Sequence, residues 1–189
     1  MQVAKSVTLT KYIGITSDYA LAKTFWVIAF ATLTAIGAQI EIPLRPVPLT
    51  LQTFFVLLSG AFLGRKSGFL SMSLYLLAGI VGLPVFAGAG FGLHSILGPS
   101  GGYLLAFPLA SFLIGYVISF KRTRVFVLLA MVAGLFVIFT LGTIQLNFVY
   151  FHNWTESMKA GLLAFSVWDI VKLLAASSIY SQFLERPKA

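Results

Sequence analysis

One segment governs how this chain can fold: Gly82-Leu-Pro-Val-Phe-Ala-Gly-Ala-Gly-Phe-Gly-Leu-His-Ser-Ile-Leu-Gly-Pro-Ser-Gly-Gly-Tyr103. Its seven glycines and two prolines cannot sustain the hydrogen-bond ladder of a helix, although the sequence on both sides is apolar. Irregular backbone beside a bilayer is tolerated only where protein buries it or where it lines a wet cavity. The segment therefore predicts a folded cap over a pocket. An ordinary glycine-rich surface connection is the alternative.

The composition is that of an integral membrane protein. Of the 189 residues, 59% are hydrophobic and 10% are charged, and the mean hydropathy is +0.96. A soluble domain carries about 25% charged residues. The N-terminal region has no short apolar stretch followed by a small-residue cleavage site, so we expect no cleaved signal peptide. Cysteine is absent from the sequence, which excludes disulfides and thiolate chemistry.

The hydropathy pattern predicts a single membrane domain over residues 1–189, with residues 1–22 as a cytoplasmic lead-in. A tilted membrane helix needs about 20 residues, so the shorter predicted spans indicate helices with one end inside protein. Prolines force an extended turn at residues 41–48, and basic turns are predicted at residues 64–68 and 121–124. A polar connection is predicted at residues 150–159. The six predicted spans are about 23–40, 49–63, 69–81, 103–120, 125–146 and 160–183.

Basic residues indicate the orientation of these spans. With both termini inside, ten of the 13 lysines and arginines lie in cytoplasmic segments, whereas Arg45 and Lys159 lie outside and Lys172 lies within a span. Short cytoplasmic loops carry such an excess, so the sequence predicts a multi-pass plasma membrane protein with both termini cytoplasmic. The net charge of +8 is then a topology signal and not a nucleic-acid site. The ten are Lys5, Lys11, Lys23, Arg65, Lys66, Lys121, Arg122, Arg124, Arg186 and Lys188.

Asp169 and Lys172 are the strongest candidates for chemistry. They are predicted near the middle of the last span, and their i, i+3 spacing places them on one helix face. A charged side chain at a helix centre costs about 2.5–3.5 kcal/mol on insertion scales, so such groups face the protein interior and have a task. A structural ion pair that holds the last helix is the alternative.

Other polar residues are predicted to surround the outer mouth of the pocket. Thr50 and Gln52 begin the second span, and Asn147 and Tyr150 lie at the matching end of the fifth. Trp168 could stack on a ring-shaped ligand or face lipid. The two histidines lie far apart without a carboxylate cluster, so neither a metal site nor a nucleophile with its base is predicted.

Ala31 and Ala35 place small side chains four residues apart in the first span. This spacing lets two membrane helices approach closely. Packing within the six-helix body and docking of a partner helix are both compatible with it.

Four motifs occur in order along the chain: Pro46-Val-Pro-Leu-Thr-Leu-Gln-Thr-Phe, Gly82-Leu-Pro-Val-Phe-Ala-Gly, Leu97-Gly-Pro-Ser-Gly-Gly-Tyr, and Asp169 with Lys172. Together they resemble the BioY family, the biotin-specific substrate-binding (S) components of energy-coupling factor (ECF) transporters. The resemblance implies six membrane helices that bind biotin near the outer face. It also implies docking onto a coupling transmembrane subunit and two cytoplasmic ATPases, with Ala31 and Ala35 in the docking patch. The chain has no phosphate-binding loop of its own.

A biotin pose follows from the chemistry of these residues. Asp169 can accept hydrogen bonds from the ureido N–H groups, and Lys172 or Arg45 can meet the carboxylate; the sequence does not choose between these two cations. No cofactor is expected, with biotin as the transported ligand. The remaining predicted contacts are Thr50, Gln52, Phe86, Gly88, Gly90, Gly102, Tyr103, Asn147, Tyr150 and Trp168.

Three other functions are compatible with some of these features. An S component for another vitamin, or for a precursor such as dethiobiotin, would need the same kind of pocket. An intramembrane enzyme could use Asp169 and Lys172 as acid and base, but no further catalytic group is predicted at that depth. A channel would need a continuous polar path, which the short inner turns do not provide.

Overall fold

The computed structural model describes residues 19–164 and 167–185, which form helices and one short hairpin. The prediction of an all-α protein is confirmed. The N-terminal half comprises α1 (Tyr19–Gln39), β1 (Glu41–Ile42), β2 (Leu49–Thr50), α2 (Gln52–Val81), a 3-10 turn (Ala87–Ala89) and α3 (Leu93–Leu97). The C-terminal half comprises α4 (Gly101–Phe120), α5 (Arg124–Leu146), a π-helical turn (Asn147–Phe151), α6 (Trp154–Ala164) and α7 (Val167–Glu185). Strands β1 and β2 pair antiparallel around the proline-rich turn.

Helix α2 bends at one residue. Gly64 has φ +74° and ψ 178°, a conformation that glycine adopts at little cost, and helical geometry resumes after it. The basic turn predicted at residues 64–68 is therefore reduced to this glycine, and the two predicted spans are the two arms of α2. Helix α4 crosses at the bend, where a Cβ on Gly115 would collide with the backbone of Gly64 and Arg65.

Helices α2, α4 and α5 form the centre of the core. Met72, Ile114, Met131 and Ile138 are fully buried there. Small residues bring α2 and α4 together, since a Cβ on Gly60 would lie only 2.6 Å from the carbonyl oxygen of Ser111. Close approach through small side chains is the usual way in which membrane helices associate.

Helix α1 uses its alanines to pack against α2. Ala31 is 7% exposed within the core and Ala35 is partly buried against it. A Cβ on Gly37 would lie 2.7 Å from the Phe55 ring. The chain itself therefore covers Ala31 and part of Ala35, and their role in a docking patch stays a prediction.

Among the described residues, three helical segments are long and apolar enough to cross a membrane by length and composition: Ala20–Gln39, Gly101–Phe120 and Arg124–Phe151. The count of six spans stays a prediction. The predicted positions of Lys5, Lys11, Arg186 and Lys188 lie outside the described residues.

The predicted last span falls on α6 and α7, with residues 165 and 166 outside the described residues. Residues 160–164 belong to α6, and α7 starts at Val167. The predicted polar connection, residues 150–159, is occupied by the end of the π-helical turn and the start of α6. Asp169 is the third residue of α7, whose described part begins at Val167.

Candidate functional site

A cavity of about 310 Å³ lies beneath the glycine-rich segment. Its walls come from β2 and the start of α2, from the segment itself, and from α4, α5 and α7. The lining residues are Val47, Pro48, Leu49, Thr50, Gln52, Thr53, Phe86, Ala87, His94, Ser95, Gly98, Pro99, Ser100, Tyr103, Leu104, Phe107, Ile138, Phe139, Asp169 and Lys172.

Asp169 and Lys172 form a buried ion pair on the cavity wall. Lys172 Nζ lies 2.7 Å from Asp169 Oδ1, and the two side chains are 7% and 2% exposed, lysine first. Lys172 also donates to the carbonyl oxygen of Thr50 at 2.9 Å and to Thr53 Oγ1 at 2.6 Å. These acceptors use all three N–H donors of the ammonium group. Thr53 Oγ1 in turn donates to Asp169 Oδ1 at 3.3 Å.

The position of the pair explains how its charges are tolerated. Asp169 accepts hydrogen bonds from the ammonium group of Lys172 and from Thr53 Oγ1, and both favour its charged form. Lys172 is held by partners on β2 and α2. The network therefore ties α7 to the opposite wall of the cavity and leaves a nearly neutral, strongly polar patch facing the space.

A second polar chain links α2 to the glycine-rich segment. Thr50 Oγ1 donates to Gln52 Oε1 at 2.8 Å, and Gln52 Nε2 donates to the Tyr75 hydroxyl. The Tyr75 hydroxyl then donates to the carbonyl oxygen of Val85 at 3.1 Å. Gln52 and Tyr75 are buried, at 5% and 1% exposed. The chain fixes the amide of Gln52 at the cavity wall.

Aromatic side chains supply the apolar part of the cavity. The Phe86 ring is 2% exposed and lies against Gly79, where any Cβ would collide with it. Tyr75 meets Phe86 edge to face at 5.6 Å between ring centroids. Tyr103 is also buried and lines the cavity. A ligand with a flat ring system and a few hydrogen-bonding groups matches such a lining.

The glycine-rich segment, residues 82–100, forms a cap with some structure of its own. It contains the 3-10 turn and the five-residue helix α3, so the prediction that it holds no helix is wrong for Leu93–Leu97. Those five residues include no glycine, and they stand between Gly92, at φ +79°, and Gly98. One helical turn fits between the two breaks.

Two glutamines outside the cap bind its backbone. Gln39 Nε2 donates to the carbonyl oxygen of Phe86 at 3.0 Å, and Gln39 Oε1 accepts from the amide of Ala89 at 3.1 Å. Gln145 Nε2 donates to the carbonyl oxygens of Ile96 at 2.7 Å and Gly98 at 2.8 Å. Sequence reasoning did not identify either glutamine. The sequence signal that could have identified them is a glutamine near the end of an otherwise apolar helix, as in both α1 and α5.

Six of the predicted contacts line the cavity: Thr50, Gln52, Phe86, Tyr103, Asp169 and Lys172. Four polar side chains that sequence reasoning did not place in the site also line it: Thr53, His94, Ser95 and Ser100. Thr53 lies in the first turn of α2, and the other three belong to the cap. Sequence reasoning considered His94 as a metal ligand and as a catalytic base and predicted neither role, and the described residues contain no cluster that could hold a metal ion.

The structure places the other predicted contacts outside the cavity lining. Asn147 is buried in the π-helical turn, where it accepts a hydrogen bond from Ser157 Oγ of α6 at 3.1 Å. Tyr150 and Trp168 are each more than half exposed. Arg45 is exposed in the proline-rich turn.

Three predicted glycines also lie outside the cavity lining. Gly88 and Gly90 belong to the outer part of the cap, where Gly90 pairs with Phe86. Gly102 packs α4 against α5, because a Cβ there would collide with the carbonyl oxygen of Leu141.

Comparisons with known proteins agree with this geometry. The sequence profile of the BioY family matches residues 7–188. The chain is 44% identical over 150 residues to the biotin transporter BioY of Thermotoga maritima, covering 79% of this chain and 88% of that protein. It is 46% identical over 147 residues to a probable biotin transporter BioY of Pyrococcus horikoshii, covering 78% and 86%. A crystal structure of the S-component for biotin from an ECF-type ABC transporter matches with a TM-score of 0.81 at 26% identity, covering 92% of this chain and 96% of that chain.

Proposed function

The chain belongs to the BioY family, and from that membership we propose that it binds biotin in the capped cavity as the S component of an ECF-type transporter. It is a membrane transport component and not an enzyme. The observation that carries the assignment of the site is the buried pair of Asp169 and Lys172, which lines a cavity of small-molecule size. Ligand pockets of this kind start at about 300 Å³.

The hydrogen-bond network supports one orientation of biotin. A carboxylate can accept about four hydrogen bonds, so Asp169 can hold Lys172 and Thr53 and still accept from a ureido N–H. Lys172 has its three donors in use within the protein. The ureido ring therefore lies at the ion pair, and the apolar rings of biotin lie against Phe86 and the other aromatic side chains.

The carboxylate of biotin then points toward the cap. Arg45, the alternative cation, is exposed and does not line the cavity. Ser95, Ser100 and His94 do line it on the cap side. Ser100 stands at the N-terminus of α4, and its side chain makes no capping hydrogen bond, so its hydroxyl can donate to an anion.

Energy for uptake has to come from partners. The proposal includes a membrane-embedded coupling subunit and two cytoplasmic ATPases, because the chain carries no phosphate-binding loop. It also places the protein in the plasma membrane with both termini inside, on the ten-to-two distribution of basic residues. Co-purification of the three partner subunits with tagged chain tests the assembly, and uptake by the chain expressed without them would contradict it.

Calorimetric titration of the purified protein with biotin tests the ligand and the site together. We expect Asp169→Asn to weaken biotin binding by about 10- to 100-fold, because it removes a charged acceptor from the ureido group. Since this change leaves Lys172 buried without its carboxylate, the double variant Asp169→Asn/Lys172→Met, which removes both charges, is measured beside it. Thermal unfolding of each variant checks that the protein is folded.

The exposed pair of Glu156 and Lys159 provides the matched control. It has the same i, i+3 spacing and a 3.0 Å separation, but both side chains are at least half exposed. Glu156→Gln should leave biotin affinity unchanged. Tight biotin binding by both Asp169 variants would remove the pair from the site. If the wild-type protein does not bind biotin but binds dethiobiotin or another vitamin tightly, the assignment of biotin as the ligand would be wrong.

A further inference from the structure

The cap is attached to the rest of the protein in two different ways. Its first half is anchored by packing, since the buried Phe86 ring fills the space left by Gly79. Gln39 adds hydrogen bonds to the carbonyl oxygen of Phe86 and to the amide of Ala89. The Tyr75 hydroxyl donates to the neighbouring carbonyl of Val85. This half is held by ring packing, by these side-chain hydrogen bonds from α1 and α2, and by a backbone hydrogen bond from Gly92 N to the carbonyl oxygen of Gly79 at 2.7 Å.

The second half of the cap receives its side-chain hydrogen bonds from one residue of another helix. Within residues 19–164 and 167–185, the side-chain hydrogen bonds from other helices to residues 93–98 both come from the amide of Gln145. The start of α4 adds one backbone hydrogen bond, from Gly101 N to the carbonyl oxygen of Gly98 at 3.1 Å. That amide lies in a slot left by Gly101, because a Cβ there would collide with both Ile96 O and Gln145 Nε2. Ile96 contributes a buried apolar contact, whereas Leu93, His94 and Leu97 are exposed.

The carbonyls that Gln145 holds belong to the wall of the cavity. Ser95, Gly98 and Pro99 line the cavity, and they flank or include the two carbonyl-bearing residues. Gln145 itself is not part of the lining. Any effect of Gln145 on a ligand must therefore act through the position of this half of the cap.

We propose that Gln145 is a positioning residue that holds residues 96–98 over bound biotin and thereby sets the rate at which biotin leaves. The inference rests on the proposed function, since it takes biotin as the ligand. The chemistry is directional: the two N–H donors of the amide each meet one carbonyl oxygen. A carboxylate of the same size has only hydrogen-bond acceptors. Its oxygens would face the carbonyl oxygens of Ile96 and Gly98 and would repel this half of the cap.

Three substitutions at Gln145 separate donor chemistry from side-chain size. Gln145→Glu replaces the donors by acceptors, Gln145→Met removes them at similar length, and Gln145→Lys keeps donors at the end of a long side chain. Each purified variant is loaded with radiolabelled biotin and chased with unlabelled biotin. We expect dissociation to be about tenfold faster in Gln145→Glu, intermediate in Gln145→Met, and close to wild type in Gln145→Lys, while association changes less.

Gln182→Glu is the matched control, because it makes the same chemical change near the far end of α7, away from the cap. Hydrogen exchange of the amides in residues 92–101 is measured in the protein without biotin. Faster exchange there in Gln145→Glu and Gln145→Met, but not in Gln182→Glu or Gln145→Lys, is expected.

The outcomes distinguish this inference from the proposed function. Unchanged dissociation of biotin in folded Gln145→Glu and Gln145→Met would overturn the role of Gln145 while leaving biotin as the ligand. A wild-type protein that fails to bind biotin would overturn the proposed function, and the exchange of residues 92–101 would then decide whether Gln145 holds the cap. Equal acceleration by Glu and Lys would also overturn the inference, because donor chemistry would then be irrelevant.

Discussion

The contact between Gly79 and Phe86 predicts that Gly79→Ala destabilises this protein, although the same change inside a helix ordinarily stabilises. A Cβ at Gly79 would collide with three carbon atoms at the tip of the Phe86 ring. Gly79 lies inside α2, where replacing glycine by alanine ordinarily stabilises by about 0.5–1 kcal/mol. In this protein the Phe86 ring cannot move aside to make room for the added methyl group, since Phe86 is 2% exposed and its ring centroid is 5.6 Å from that of Tyr75.

The expected magnitude follows from overpacking. Forcing an extra carbon into a packed core costs about 1–3 kcal/mol, which outweighs the helix gain. Gly79→Ala should therefore lower the thermal midpoint by about 2–8 °C for a chain of this size. Because Phe86 lines the cavity, the displaced ring should also weaken biotin binding by about tenfold.

A double-mutant cycle provides the decisive measurement. Phe86→Ala alone should destabilise by about 3–5 kcal/mol, as removal of a buried ring does. In that background Gly79→Ala should be neutral or stabilising, because the ring that it collided with is gone. Thermal unfolding in detergent, with biotin titration on each variant, measures both effects. An equal shift from Gly79→Ala in the two backgrounds would refute the reasoning.

Two further changes test the polar chain and the bend in α2. Tyr75→Phe should lower the free energy of unfolding by about 1–3 kcal/mol, because the buried amide of Gln52 loses its acceptor, and it should also weaken biotin binding. Tyr116→Phe, which changes an exposed tyrosine, is the control. Equal thermal midpoints for the two variants would contradict the prediction. Gly64→Ala should cost about 1–3 kcal/mol through backbone strain alone, since φ is +74° and no atom lies within 4 Å of the added Cβ. A midpoint as high as that of wild type would show that the bend tolerates a side chain.

Features that depend on neighbours along the chain could be predicted. Composition identifies a membrane protein, and the glycines and prolines of residues 82–100 locate the cap, because both depend only on local backbone preference and hydropathy. The spacing of Asp169 and Lys172 places them on one helix face, and they meet at 2.7 Å. The motifs around them identify the BioY family, which the comparisons show.

The composition of the cavity wall could not be predicted in the same way. Thr53 meets Lys172 across 119 positions of sequence, and Gln145 meets Ile96 across 49. Neither residue carries a local signal that names its partner. Asn147 and Tyr150 were expected at the cavity mouth, but both lie in the π-helical turn. Asn147 is buried there against α6, and Tyr150 is exposed.

The amino-acid sequence by itself determined the membrane class, the capped pocket and the charged pair, since each follows from residues within one or two helical turns. Only the tertiary structure decided which side chains face the ligand space. A helix turns by about 100° per residue, so a bend such as that at Gly64 redirects every side chain that follows it. Such a bend depends on packing between helices far apart in the chain, and no local pattern records the resulting rotation.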